Sequence, residues 1–274
     1  MSTLPYRLTR EQRAIRTLLL AVSATLLVSA CYDDNNSDYN PTEPAPPTPT
    51  IVTASGDIKA KVDEYRALLG EPRNGATVPG PAAAGRREIN WEGVNGANLN
   101  VNTFPGDFFN TTTPLGLLMT TTGTGLRVSD KDFSDVNAAF GDVFNAFSPA
   151  KTFAPVGSTI VDVTFQVAAA KTAALVAGFG VVFADVDVAG SAKIELFDRA
   201  GNKLGTFAAP VRSDANGHSF VGVKFDSAII ARVRITSGTG ALGAQAQDVS
   251  AGTGGADLVV MDDFLYSEPQ PIPQ

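Results

Sequence analysis

Apolar and polar side chains alternate with a period of two over much of the chain beyond residue 110. Between Thr159 and Val167, the positions Val161, Val163, Phe165 and Val167 interleave with Ile160, Asp162, Thr164 and Gln166, which predicts a strand with one buried face. The stretch from Leu175 to Val188 is longer and nearly all apolar, the pattern of a strand in the middle of a sandwich. Ala192 to Phe197 and Lys203 to Ala208 flank Asp198-Arg-Ala-Gly-Asn202, a hairpin signal because Asp and Gly supply the backbone that a tight turn needs. Ser219 to Phe225, Ile229 to Thr236 and Leu258 to Tyr266 follow at short spacing, and Leu115 to Met119 and Gly125 to Ser129 are shorter candidates upstream. Helical spacing is clearest between Gly56 and Gly70, where Ile58, Val62, Tyr65 and Leu69 share a face. Ser55 or Asp57 is placed to cap this helix, and Gly70 with Pro72 to stop it. A weaker helical stripe, Phe133, Val136, Phe140, Val143, Phe144 and Phe147, reads as a packing face. Many short strands between Gly, Asn and Asp turns predict a mainly β protein. The expected fold is an antiparallel β-sandwich, jelly-roll-like, with one or two short N-terminal helices, in one domain over residues 55–268.

Both ends depart from this pattern. Arg7, Arg10, Arg13 and Arg16 precede an apolar run from Thr17 to Val28, too short for a comfortable span and flanked like a secretory signal. The run ends in Leu27-Val-Ser-Ala-Cys31, which resembles a bacterial lipobox. That resemblance implies a signal peptide over residues 1–30 and an acylated Cys31 as the mature N-terminus, held at the membrane through its lipid. Tyr32 in place of Asp at the next position implies the outer membrane. Residues 31–54, rich in Pro, Asn and Asp and poor in aliphatics, read as a semi-rigid tether, and 269–274 as a short Pro-rich tail.

Composition narrows the chemistry. The chain has 274 residues with one Cys, one His and one Trp, which rules out a disulfide scaffold and argues against Cys–His dyads and multi-His metal sites. Without residues 1–30 it carries 17 basic and 27 acidic side chains, a net charge of −10. Such a surface repels nucleic acid and anionic lipid and tolerates cations.

Gly85-Arg-Arg-Glu-Ile-Asn-Trp-Glu-Gly93 stands out, with Tyr65-Arg-Ala-Leu-Leu-Gly70, Phe153-Ala-Pro-Val-Gly-Ser158, Gly178-Phe-Gly180, Phe183-Ala-Asp-Val-Asp187 and Val260-Met-Asp-Asp-Phe264. Together these blocks resemble a family of secreted bacterial proteins with no established activity. The ending is also loosely similar to jelly-roll modules of the carbohydrate-binding kind, which implies a glycan-binding surface.

Glu88, Asn90, Trp91 and Glu92 are the candidate ligand site, because an aromatic ring beside amides and carboxylates suits a sugar. The alternative for Trp91 is a core plug with a polar tip. Arg86 and Arg87 are expected to pair with Glu88 or other acids. Asp185 and Asp187, two apart in a predicted strand, and Asp262 and Asp263, in the last strand, are the candidate metal ligands. Converging carboxylates repel, and a structural Ca²⁺ would relieve that. Asp130-Lys-Asp-Phe-Ser-Asp135 resembles a cation loop but lacks the Gly and closing Glu of an EF-hand, so Asp132 or Ser134 reads as a helix cap. His218 beside Ser219 reads as a solvated loop residue rather than part of a triad. The sequence therefore points to a lipid-anchored envelope protein with a non-catalytic sandwich that binds glycan. The alternatives are a carboxylate-based polysaccharide hydrolase using Glu88 or Glu92, and a structural envelope protein with a protein partner.

Overall fold

The alternating segments assemble into two stacked antiparallel sheets, seen in a computed structural model that describes residues 47–213, 217–249 and 254–273. The expected signal peptide, Cys31 and the expected tether up to residue 46 lie outside the described residues. Strands are numbered in chain order. The first sheet runs β1 (Thr50–Gly56), β11 (His218–Lys224), β8 (Gly178–Ala184), β13 (Val260–Ser267), β5 (Thr152–Val156), β4 (Gly125–Ser129), and β2 (Arg86–Ile89) also pairs with β13. The second runs β10 (Lys203–Ala208), β9 (Lys193–Phe197), β12 (Arg232–Thr236), β6 (Ile160–Phe165), β3 (Leu117–Thr121). A two-strand ribbon joins β7 (Ala174–Leu175) to β14 (Gln270–Pro271).

Leaving out β7, the eight strands from β5 to β13 are shared between the sheets as β5-β13-β8-β11 and β6-β12-β9-β10. In chain order these are the first, eighth, third and sixth, and the second, seventh, fourth and fifth. That is the jelly-roll pattern of two nested Greek keys. The remaining early strands extend its edges: β1 beyond β11, β4 beyond β5 and β3 beyond β6.

Side-chain alternation is cleanest in the second sheet, whose outer face is solvated. In β6 Val161, Val163 and Phe165 are buried while Asp162 and Thr164 face out. Arg234, opposite Asp162 in β12, donates to it at 3.0 and 2.7 Å, and Arg232 donates at 2.9 Å. In the first sheet both faces are covered, and every residue of β8 is buried. Phe179, Val181 and Phe183 pack in the sandwich interior, whereas Val182 packs with Phe220 and Leu265 under helix α1 (Lys59–Leu69). This double burial accounts for the nearly continuous apolar run in the sequence.

Helix α1 lies inside the expected segment and buries Val62, Tyr65 and Leu69. The Asp57 carboxylate accepts the Lys59 N–H at 3.3 Å, and Gly70 ends the helix at φ 102°. Phe133 to Phe147 is not a helix. Only Ala138–Asp142 winds as a 3₁₀ turn, because Asp132 and Phe133 take left-handed backbone (φ 50° and 59°). Phe133, Phe140 and Phe144 are nonetheless buried, against Ala154, Ala184 and Val260 on the outer face of the first sheet. The expected stripe forms by loop packing instead of helical winding.

The folded body begins earlier and ends later than expected. Residues 50–54, assigned to the tether, belong to β1, paired along its whole length with β11. Gln270 and Pro271 of the expected tail pair with β7. Edge pairing to an existing sheet asks little hydrophobicity of the added strand, so neither carries a strong sequence signal.

Candidate functional site

The Gly85–Gly93 block becomes β2 and the turn after it, and its residues build the fold inward. Trp91 is 1% exposed. Its ring stacks on Phe153 at 4.3 Å and 7°, with Phe104, Phe109 and Phe264 edge-on, and its Nε1–H donates to the Asp262 carbonyl at 2.9 Å. Trp91 is therefore not the expected exposed sugar platform but a core plug with its polar tip satisfied. Arg87 is wholly buried and forms a two-pronged ion pair with Glu268 at 2.7 and 2.8 Å. Arg86 donates to Glu88 at 2.7 Å.

Glu88 also accepts from Arg66 of α1 at 3.2 Å and lies 3.7 Å from Arg73. Glu92 accepts the backbone N–H groups of Ala150 and Lys151, both at 3.0 Å. Both acids are thus held by the fold. The Asn90 carbonyl accepts from Ser148 at 3.1 Å. Beside β2 lies a recess of about 210 Å³, whose lining includes Arg73, Glu88, Asn90, Trp91, Thr113 and Leu115.

The four candidate metal ligands separate into two places. Asp262 and Asp263 sit in a β-bulge of β13, where pairing with β8 slips between Met261 and Phe264. Two residues between successive inward side chains turn both carboxylates away from the sandwich interior. Asp262 accepts from the N–H of Phe147 at 2.5 Å, the N–H of Ser148 at 3.1 Å and the Ser148 hydroxyl at 2.8 Å. Asp263 accepts from Arg66 at 3.1 Å. Burial, with Asp263 alongside, pushes the Asp262 carboxyl up to about 8, and burial raises Asp263 as well. This pair does not join Asp185 and Asp187, contrary to expectation.

Asp185 and Asp187 lie beyond the end of β8, not within a strand, and Asp185 takes φ 70°. They converge all the same. Arg212 Nε lies 2.9 Å from Asp185 Oδ1 and 2.5 Å from Asp187 Oδ1. Among the described residues, the third acid to join them is Asp248, which sequence spacing does not reveal. One carboxylate oxygen from each of Asp185, Asp187 and Asp248 lies within 4.8 Å of the other two. Asp257 organises the turn, its two oxygens accepting the N–H groups of Asp187 at 3.1 Å and Val188 at 3.0 Å. Burial raises the Asp185 carboxyl to about 7, with Arg212 opposing and Asp248, Asp187 and Asp257 adding to the rise.

His218 Nε2 lies 3.0 Å from the Asn145 carbonyl, and its ring meets Phe147 edge-on. Ser219, next along β11, is buried. No helix among the described residues is long and apolar enough to cross a membrane.

No protein-family model matches the chain, and no curated protein matches it. Among solved structures, it is similar to the enzymatically active domain of tailspike protein 4 of bacteriophage CBA120. Identity is 17% over 52% of this chain and 21% of that one, with a TM-score of 0.19. The chain spans about a fifth of that neighbour's length, and so low a score carries neither fold nor activity across.

Proposed function

We propose that this chain is a lipid-anchored protein of the bacterial cell envelope whose jelly-roll head binds glycan and catalyses nothing itself. The anchor rests on the lipobox-like run ending in Cys31, and the stand-off from the membrane on the Pro-rich segment after it. The observation that carries the binding reading is the recess beside β2. Its lining combines a guanidinium, a carboxylate, an amide and a hydroxyl (Arg73, Glu88, Asn90, Thr113) with apolar Ile89 and Leu115, a donor and acceptor mix suited to a sugar ring. The engagement of Glu88 and Glu92 in ion pairs and N–H bonds supports binding over hydrolysis.

The test is a glycan array followed by calorimetric titration with the mature protein. We expect binding to at least one polysaccharide, abolished by Asn90→Ala without a change in melting temperature. Silence across the array would remove the glycan and leave an envelope protein as the partner. Failure of Cys31 to incorporate labelled fatty acid would remove the anchor.

A further inference from the structure

We propose that Asp185, Asp187 and Asp248 together bind one divalent cation of calcium's size and hardness, fastening the end of β8 to the segment ahead of β13. The site lies apart from the β2 recess and stands or falls without it. The first observation is the convergence of three carboxylates from two chain segments, with one oxygen of each within 4.8 Å of the others. The second is independent of it. Asp185 is 1% exposed, and its Oδ2, like the Oδ2 of Asp187, is buried with no hydrogen-bond partner. A carboxylate oxygen enclosed away from solvent with nothing to accept from is strongly disfavoured unless a cation meets it.

The geometry also divides the work between the two oxygens of each acid. Arg212 holds Oδ1 of both Asp185 and Asp187, so their Oδ2 atoms remain for a second positive partner. The carboxylates of Asp185, Asp187 and Asp248, with Asp257 nearby, outnumber the one guanidinium of Arg212 that pairs with them, and a divalent ion would offset that excess. Oxygen donors without thiol or imidazole select a hard cation over zinc. Calcium accepts an irregular set of carboxylate oxygens, whereas magnesium demands a near-octahedral set at about 2.1 Å and sheds its waters reluctantly, so three carboxylates on two chain segments favour calcium. Asp257 supports the site from behind by fixing the N–H groups of Asp187 and Val188.

Calcium chloride, and separately magnesium chloride, titrated into the chelator-treated, detergent-solubilised mature protein tests this. We expect one calcium per chain, weaker binding of magnesium, and a melting midpoint higher in calcium than in chelator. Asp187→Asn should weaken calcium by at least about tenfold. Its midpoint in chelator should equal or exceed that of the unaltered protein, because one of the mutually repelling charges is gone. Asp248→Asn repeats the test from the other segment should the first variant fold poorly. Equal midpoints with no heat of binding would overturn the proposal. So would calcium binding that persists unchanged in both variants, since that is capture by the acidic surface, and equal affinity for magnesium would overturn the assignment to calcium.

Discussion

Arg87 and Glu268 show how a charged pair becomes part of this core. Both sit where water does not reach, and the guanidinium fork satisfies both carboxylate oxygens while donating further to the carbonyls of Gly75, Val78 and Pro114. Removing one partner leaves the other charge buried and alone. Glu268→Gln is therefore expected to destabilise the head by about 3–5 kcal/mol in denaturant unfolding, and a loss below about 1 kcal/mol would show that solvent reaches Arg87. Asp262 makes a different prediction. The native state holds a proton on this carboxyl that the unfolded chain releases near its ordinary aspartate value. Its contribution is complete below about pH 4 and is lost as pH rises through the folded value of about 8, with a slope of up to about 1.4 kcal/mol per pH unit. Asp262→Asn, which is neutral throughout, should flatten the decline in unfolding free energy between pH 5 and pH 8. Identical declines in the two proteins would show that the proton sits elsewhere.

At the scale of elements, helix α1 lies close on the first sheet because glycines make room for it. Gly180 and Gly222 are cross-strand partners in β8 and β11, and the Tyr65 ring rests on them. A methyl group at Gly222 would come within 2.7 Å of Tyr65 Cδ2, and one at Gly180 within 2.7 Å of Tyr65 Cε1. The Tyr65 hydroxyl reaches past them to the Val223 carbonyl at 2.8 Å, which fixes the helix along the strands. Gly222→Ala should thus cost about 1–3 kcal/mol by displacing the ring, despite a higher strand propensity for alanine. Equal or greater stability would mean that α1 slides freely on the sheet. The Phe133–Phe147 segment covers the same outer face without regular winding, so an apolar stripe reports burial more dependably than it reports helix.

For the whole molecule, solvent decides which parts of the sequence are readable. The second sheet meets water on one side, so β6, β9 and β12 announce themselves by alternation, and β10 through the Asp and Gly of its hairpin with β9. The first sheet is covered on both sides, and there β8 is legible only as an apolar run. β5, which contains Pro155 and meets β13 at Met261 opposite Phe153, carries no period to read. From the sequence alone follow the mainly β class, the sandwich, helix α1 and the acidic character, because each depends on local period or on composition. The sequence also singles out the Gly85–Gly93 block and the Asp185–Asp187 pair as places where unusual chemistry gathers. Tertiary structure alone decided what those residues do: it turned Trp91 inward, placed Arg87 on Glu268 some 181 residues away, and brought Asp248 rather than Asp262 to Asp185. These choices are made by contacts between distant segments, and by a single bulge that rotates two carboxylates out of register, which no local pattern of side chains encodes.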